Sequence, residues 1–181
     1  MRNRQPHSVR DITPGNSDAQ SKSSERQSDA IMREFAWDLV AINTHLEDIR
    51  RFWAESLGIT GPQWLILMAI SELDQGKGVS VGEVSSKLQV NSTFISAQTK
   101  GLERSGLLNR SPSPADARIV LMSLTEMARK QVAKLSGRRD QLNEQIFGDL
   151  GDRALKEVSQ SLKIIRKRAE KAARQLDLDA E

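Results

Sequence analysis

The chain has 181 residues, 38% of them apolar and 28% charged, which suits one globular unit with extensions and is too short for a multidomain enzyme. Its net charge of +3 and isoelectric point near 9.4 favour a polyanionic partner without requiring one. The absence of cysteine excludes disulfides, a thiol nucleophile, a thiol redox switch and thiolate-bound zinc. No apolar run is long enough to span a bilayer and no apolar segment marks a secretory signal, so the sequence reads as cytoplasmic with no membrane partner.

Residues 1–29 are rich in Arg, Ser, Asn, Gln and Asp, bury almost nothing and are expected to be disordered. Their basic residues (Arg2, Arg4, Arg10, Lys22, Arg26) nearly cancel against Asp11, Asp18, Glu25 and Asp29, which favours a solvated tail over a DNA-clamping arm. From Ile31 the apolar positions Phe35, Leu39, Ile42, Leu46, Ile49 and Trp53 follow in steps of three and four, one stripe on a long helix over 30–57. Gly58 stops that helix, Thr60 caps the next, and Pro62 sits in its tolerant first turn. Residues 63–73 are apolar nearly all round and read as an enclosed helix. Gly76, Gly78 and Gly82 superficially resemble a phosphate loop, but the spacing fits no nucleotide motif, and Gly76 and Gly78 are read as turn glycines.

The rhythm changes after Ser80. Val81, Val84 and Leu88 mark the inner face of a short helix, Gln89, Val90 and Asn91 form a turn, and Ile95, Thr99 and Leu102 mark a second helix capped by Asn91. Two short helices joined so tightly must cross steeply, as in a helix-turn-helix. Gly106 ends the second helix. A strand candidate (Leu107 to Arg110), a Ser- and Pro-rich loop and a β-prone run from Ile119 then make a hairpin wing. Two further long helices follow. The last carries Leu155, Val158, Leu162, Ile165, Ala169, Ala172 and Leu176 in alternating steps of three and four, a seam that needs a partner, before a frayed end at 177–181. The basic residues beside this seam read as a solvated face.

Taken in order, Gly61-Pro62-Gln63-Trp64, Val81 and Val84 to Leu88 then Val90, Leu102-Glu103 with Gly106-Leu107, Arg110, Asp116 with Arg118, and Leu124-Thr125 resemble the MarR family of regulators over roughly residues 31–172. The resemblance implies a mainly α fold: a winged helix-turn-helix DNA-binding domain over 60–125 with a small β-hairpin wing. Long helices at 30–57 and 126–176 would form a dimerisation domain. It implies that the second helix of the motif enters a major groove while the wing reaches the next minor groove.

With Ile95, Thr99 and Leu102 turned inward, the outward positions are Ser92, Thr93, Ser96, Ala97, Lys100 and Arg104. Ser92, Thr93, Ser96 and Ala97 suit base edges and a thymine methyl, and Lys100 and Arg104 suit phosphates. In the wing, Arg110 is expected at the duplex and Arg118 in the minor groove; the matching acid in relatives orients the guanidinium, while the reading favoured for Asp116 is structural, a salt bridge to Arg118 that ties the hairpin together. Ala97, Gly101 and Ala117 stand where relatives often carry basic residues, and Phe94 in the first turn is expected to pack.

The resemblance further implies a homodimer on a pseudo-palindromic operator with half-sites roughly 34 Å apart. Ile31, Phe35, Leu162, Ile165, Ala169 and Ala172 are the expected dimer interface. Many relatives are repressors that release DNA when a small anionic aromatic or acyl compound binds. His45, Ile49, Arg50, Trp53, Trp64 and Met68 are the expected lining here, set against the plainer reading that the tryptophans and Met68 fill core. No cofactor and no metal is expected beyond that effector. An enzyme lacks parts, since the chain has only His7 and His45 and no nucleophile-base pair. A helical interaction protein without a nucleic-acid role is the remaining alternative, and it has no need of arginines on a hairpin.

Overall fold

A computed structural model describes residues 17–179, and the side chains of residues 26–176. In chain order the elements are α1 (Ser17–Glu55), α2 (Gly61–Leu73), β1 (Val79–Ser80), α3 (Val81–Leu88), α4 (Ser92–Arg104), β2 (Leu108–Pro112), β3 (Val120–Leu124), α5 (Glu126–Phe147), a single 3-10 turn at Gly148–Leu150, and α6 (Gly151–Asp179). The described residues fall into two units, one ending at Met68 and the other beginning at Ala69.

The first unit holds α1 and the start of α2. Helix α1 begins at Ser17, so residues 17–29, expected to be disordered, are helical; residues 1–16 of the expected tail lie outside the described residues. Between Ser17 and Glu55 there is neither glycine nor proline. Extending a nucleated helix adds one hydrogen bond for each residue fixed, which favours continuation even where little apolar surface is buried. Gly58, at φ +66°, ends the run. At the start of α2 the Thr60 amide donates to Gln63 Oε1 at 3.0 Å and the Gln63 amide to Thr60 Oγ1 at 3.4 Å, a reciprocal cap.

The second unit is built on a three-stranded antiparallel sheet in the order β1-β3-β2. Val79 faces Met122 across β1 and β3, and the hairpin runs from Leu108 opposite Leu124 out to Pro112 opposite Val120. Pro112 is tolerated because β2 is an edge strand. The turn before β1 is held by Asp74, whose Oδ1 accepts from the amides of Gly76 and Gly78 at 2.8 and 2.9 Å. Both glycines take positive φ, and a Cβ on Gly78 would come within 3.2 Å of the Leu121 Cβ.

Helix α3 opens on a reciprocal cap: the Glu83 amide donates to Ser80 Oγ, while the Ser80 amide and hydroxyl donate to Glu83 Oε2 at 2.8 and 2.6 Å. Val84 of α3, Ile95, Thr99 and Leu102 of α4, Leu107, Leu108, Met122 and Leu124 are buried, forming the core that joins the helix pair to the sheet. At the base of the hairpin the Thr125 amide donates to the Leu107 carbonyl at 3.1 Å and its hydroxyl to the Gly106 carbonyl at 2.8 Å. The same hydroxyl accepts from Ala128, capping α5. Helix α6 runs to Asp179, which carries helix into the stretch expected to fray; residues 180–181 lie outside the described residues.

The hydrogen bonds from Ser80 hold the Glu83 carboxyl below its ordinary value of 4.5. Folded Glu83 therefore ionises more readily than unfolded Glu83, so its contribution to stability is complete above that value and fades as pH falls through the depressed folded pKa. Urea unfolding of Ser80→Ala is expected to show a deficit relative to the unsubstituted protein at neutral pH, which narrows as pH drops below about 4. A deficit that stays constant down to pH 2 would show that Glu83 ionisation has no part in the cap.

Candidate nucleic-acid interface

Helix α4 hides one face completely and leaves the other open. Ile95, Thr99 and Leu102 have no exposed surface, and the first-turn amide of Thr93 is capped by Asn91 Oδ1 at 2.7 Å. The helix is thereby fixed in rotation about its axis. Ser92, Thr93, Ala97, Lys100 and Arg104 are exposed and Ser96 is half-buried, so all six outward positions expected from the sequence share the face opposite the core. This face is polar and uncluttered, and it offers hydroxyls near the N-terminus and two cations near the C-terminus. Phe94, expected to pack, is 40% exposed. Its neighbour Ile95 takes the inward position, and consecutive residues on a helix point about 100° apart.

The wing follows α4 through Gly106, whose φ of +70° lets the chain reverse. Its tip is a tight loop: the Ser113 amide donates to the Ile119 carbonyl at 2.8 Å and the Ile119 amide to the Asp116 carbonyl at 2.9 Å. Asp116 Oδ1 accepts from the backbone amide of Arg118 at 2.9 Å. The structural role favoured for Asp116 takes another form than a salt bridge: the carboxylate fixes the backbone two residues on, an Asx turn, and the Arg118 side chain is exposed.

Arg110 also departs from expectation. Its side chain is only 17% exposed, and Nη1 lies 3.5 Å from Glu103 Oε2 on α4, so it faces the helix instead of a groove. Position 110 pairs with the buried Met122 across the sheet, and its side chain reaches back over the end of α4. Nothing in the sequence spacing separates this inward arginine from the exposed one at 118.

The residues expected to line an effector site lie in the first unit and do not share one environment. Trp53 and Trp64 are 5% and 4% exposed and stack with ring centroids 6.4 Å apart, in keeping with the plainer reading that they fill core. Ile49, Arg50 and Met68 are half-buried and His45 is exposed. Arg50 lies 3.9 Å from Glu47, one helical turn away. The six expected interface residues, Ile31 and Phe35 on α1 and Leu162, Ile165, Ala169 and Ala172 on α6, are all exposed in the single chain.

A helix pair whose second member is followed at once by a hairpin, closed by a third short strand, defines a winged helix-turn-helix protein. The MarR resemblance read from the motifs is borne out: the MarR family model matches residues 57–119, from the turn between α1 and α2 to the wing tip. Solved structures with this fold include CouR from Rhodococcus jostii RHA1 bound to p-coumaroyl-CoA, with 21% identity, 72% of this chain and 90% of that chain covered, and a TM-score of 0.64. The MepR–DNA complex of S. aureus shares 18% identity over 75% of this chain and 96% of that one, with a TM-score of 0.65. A mutant MarR from E. coli complexed with operator DNA shares 19% over 73% and 93%, with a TM-score of 0.60. No curated protein matches the chain. The chain has the winged-helix fold of MarR-family regulators. Among the described residues, no helix is long and apolar enough to cross a membrane.

Because Trp64 is core, Trp64→Ala is expected to cost about 3–5 kcal/mol in chemical denaturation, while His45→Ala, at an exposed position, changes stability by under about 0.5 kcal/mol. Equal small effects would place Trp64 in an open pocket instead.

Proposed function

We propose that the protein is a sequence-specific DNA-binding transcription regulator, acting as a homodimer on a pseudo-palindromic operator and serving as a repressor. The observation that carries this reading is the outward face of α4, polar and fully presented by a buried opposite face, followed by a hairpin whose tip exposes Arg118. Ser92, Thr93, Ser96 and Ala97 take the base edges, Lys100 and Arg104 the flanking phosphates, and Arg118 the adjacent minor groove. Asp116 acts by shaping the loop that carries Arg118. One such helix samples too few base pairs for a genomic site, which is the physical reason for two copies. The exposed apolar residues Ile31 and Phe35 on α1, and Leu162 and Ile165 on α6, are the surfaces assigned to that pairing. The DNA complexes among the structural neighbours support the same reading.

Against a duplex recovered by selection from genomic fragments, Arg118→Ala is expected to weaken binding by about 1–3 kcal/mol while the protein still sediments as a dimer. Lys100→Ala is expected to lower the slope of log K against log salt by about one unit, as loss of one phosphate contact requires. Binding unchanged by both substitutions, or a monomer at micromolar concentration, would remove the proposal and favour a helical interaction protein.

The reading extends to a small anionic aromatic or acyl effector, a class supported by the p-coumaroyl-CoA carried by CouR. His45 and Arg50 are assigned its anionic end, and Ile49 and Met68 its apolar body. A ligand releases DNA only through its preference for a form that fits the operator badly. Aromatic acids and their CoA thioesters are expected to include at least one compound that lowers operator affinity. A broad panel without effect in a fluorescence-anisotropy titration would discard this part of the proposal.

A further inference from the structure

We infer that Glu103 and Arg110 form a positioning pair that fixes the angle between the reading helix and the wing. The inference rests on the DNA-reading role proposed above and assigns to Arg110 a task other than contact with the duplex.

Three observations carry it. Glu103 lies in the last turn of α4 and Arg110 in β2, so the 3.5 Å approach of Nη1 to Oε2 spans the junction between the two elements that would enter neighbouring grooves. The arginine is turned inward, and its Nε is buried without a hydrogen-bond partner, whereas the glutamate stays 46% exposed. The backbone of Arg110 is tied across the sheet to Met122 at the centre of the core, so the side chain acts as a strut from the sheet to the end of the helix.

A cation partly withdrawn from water is unfavourable unless something is gained by its placement. Mere filling of this space would be better done by an uncharged side chain. What a paired charge supplies and an apolar residue does not is an attraction toward one carboxylate at one place on α4. The backbone turn through Gly106 leaves one hinge between helix and hairpin. The hydrogen bond from the Leu107 amide to the Leu102 carbonyl, at 3.0 Å, holds the near end of that hinge. The Glu103–Arg110 pair holds it three residues farther out, within β2, and so restrains a rotation that would displace Arg118 at the tip. Reading helix and wing tip then approach a duplex as one rigid body, and the ordering of the wing is completed before binding.

The sign of one substitution separates this role from simple electrostatics. Glu103→Gln removes an anion close to Lys100 and Arg104, so an effect of charge alone would tighten DNA binding. A positioning role weakens it, and about a tenfold loss is expected, the equivalent of one poorly made base contact. Arg110→Met is expected to lower affinity to a similar degree with the slope of log K against log salt unchanged, since no phosphate contact is lost. Tighter or unaltered binding by Glu103→Gln would overturn the inference, as would a slope reduced by about 0.9 in Arg110→Met, which would place that arginine on a phosphate.

Amide hydrogen exchange of the free protein gives a readout that needs no DNA. In Glu103→Gln, residues 108–112 and 120–124 are expected to exchange faster while the amides of α3 keep their protection. Unchanged exchange in the hairpin would overturn the pair's role even if the regulator reading stands. If the unsubstituted protein selects no duplex, that reading fails, and exchange alone decides whether the pair restrains the wing.

Discussion

The complete burial of Ile95, Thr99 and Leu102 determines what α4 can offer to anything outside the protein. A helix with three inward anchors at steps of four and three cannot rotate without exposing one of them, at a cost of about 1.5–3 kcal/mol for each large apolar side chain. That constraint turns an ordinary sequence of serines, threonine, alanine, lysine and arginine into a fixed surface. The wing depends on it in turn, because β2 begins only a few residues after α4 ends and the junction is tied down by Thr125 and by the Glu103–Arg110 pair.

Legibility in the sequence tracked how local the deciding physics was. The apolar spacing of Val81, Val84 and Leu88, and of Ile95, Thr99 and Leu102, gave α3 and α4 close to their observed bounds, because a three-to-four repeat and a capping Asn91 are properties of adjacent residues. Gly58, Gly76 and Gly78 were recognisable as chain-reversing positions for the same reason. The two-residue strand β1 was not, since two residues carry no period and its existence is decided by Met122 and Leu121 far along the chain. Nor was the left-handed Gln89 at the end of α3, a conformation for which asparagine or glycine would have been the signal.

The site shows the same division. All six outward residues of α4 lie where helical geometry puts them, since rotation about a helix is fixed by its apolar stripe. The hairpin arginines were harder to tell apart. In a strand, successive residues point to opposite faces, but which face is covered depends on what packs there, and α4 covers the face that Arg110 shares. The stacked tryptophans illustrate a third case: an aromatic at helical spacing looks the same in sequence whether or not it is enclosed, and the burial and stacking of these two rings are visible only in the fold. The start of α1 was missed because a polar composition argues against burial, and helix continuation from a strong segment does not need it.

The account is tested most directly by hydroxyl-radical footprinting on the tightest genomic duplex that the purified protein selects. Two protected backbone segments are expected, centred about one helical turn apart and related by a twofold axis, with further protection at the sugars of the flanking minor grooves where Arg118 of each subunit would lie. Uniform protection along the fragment, or no duplex preferred over random competitor at low salt, would contradict the claim that this folded surface reads sequence.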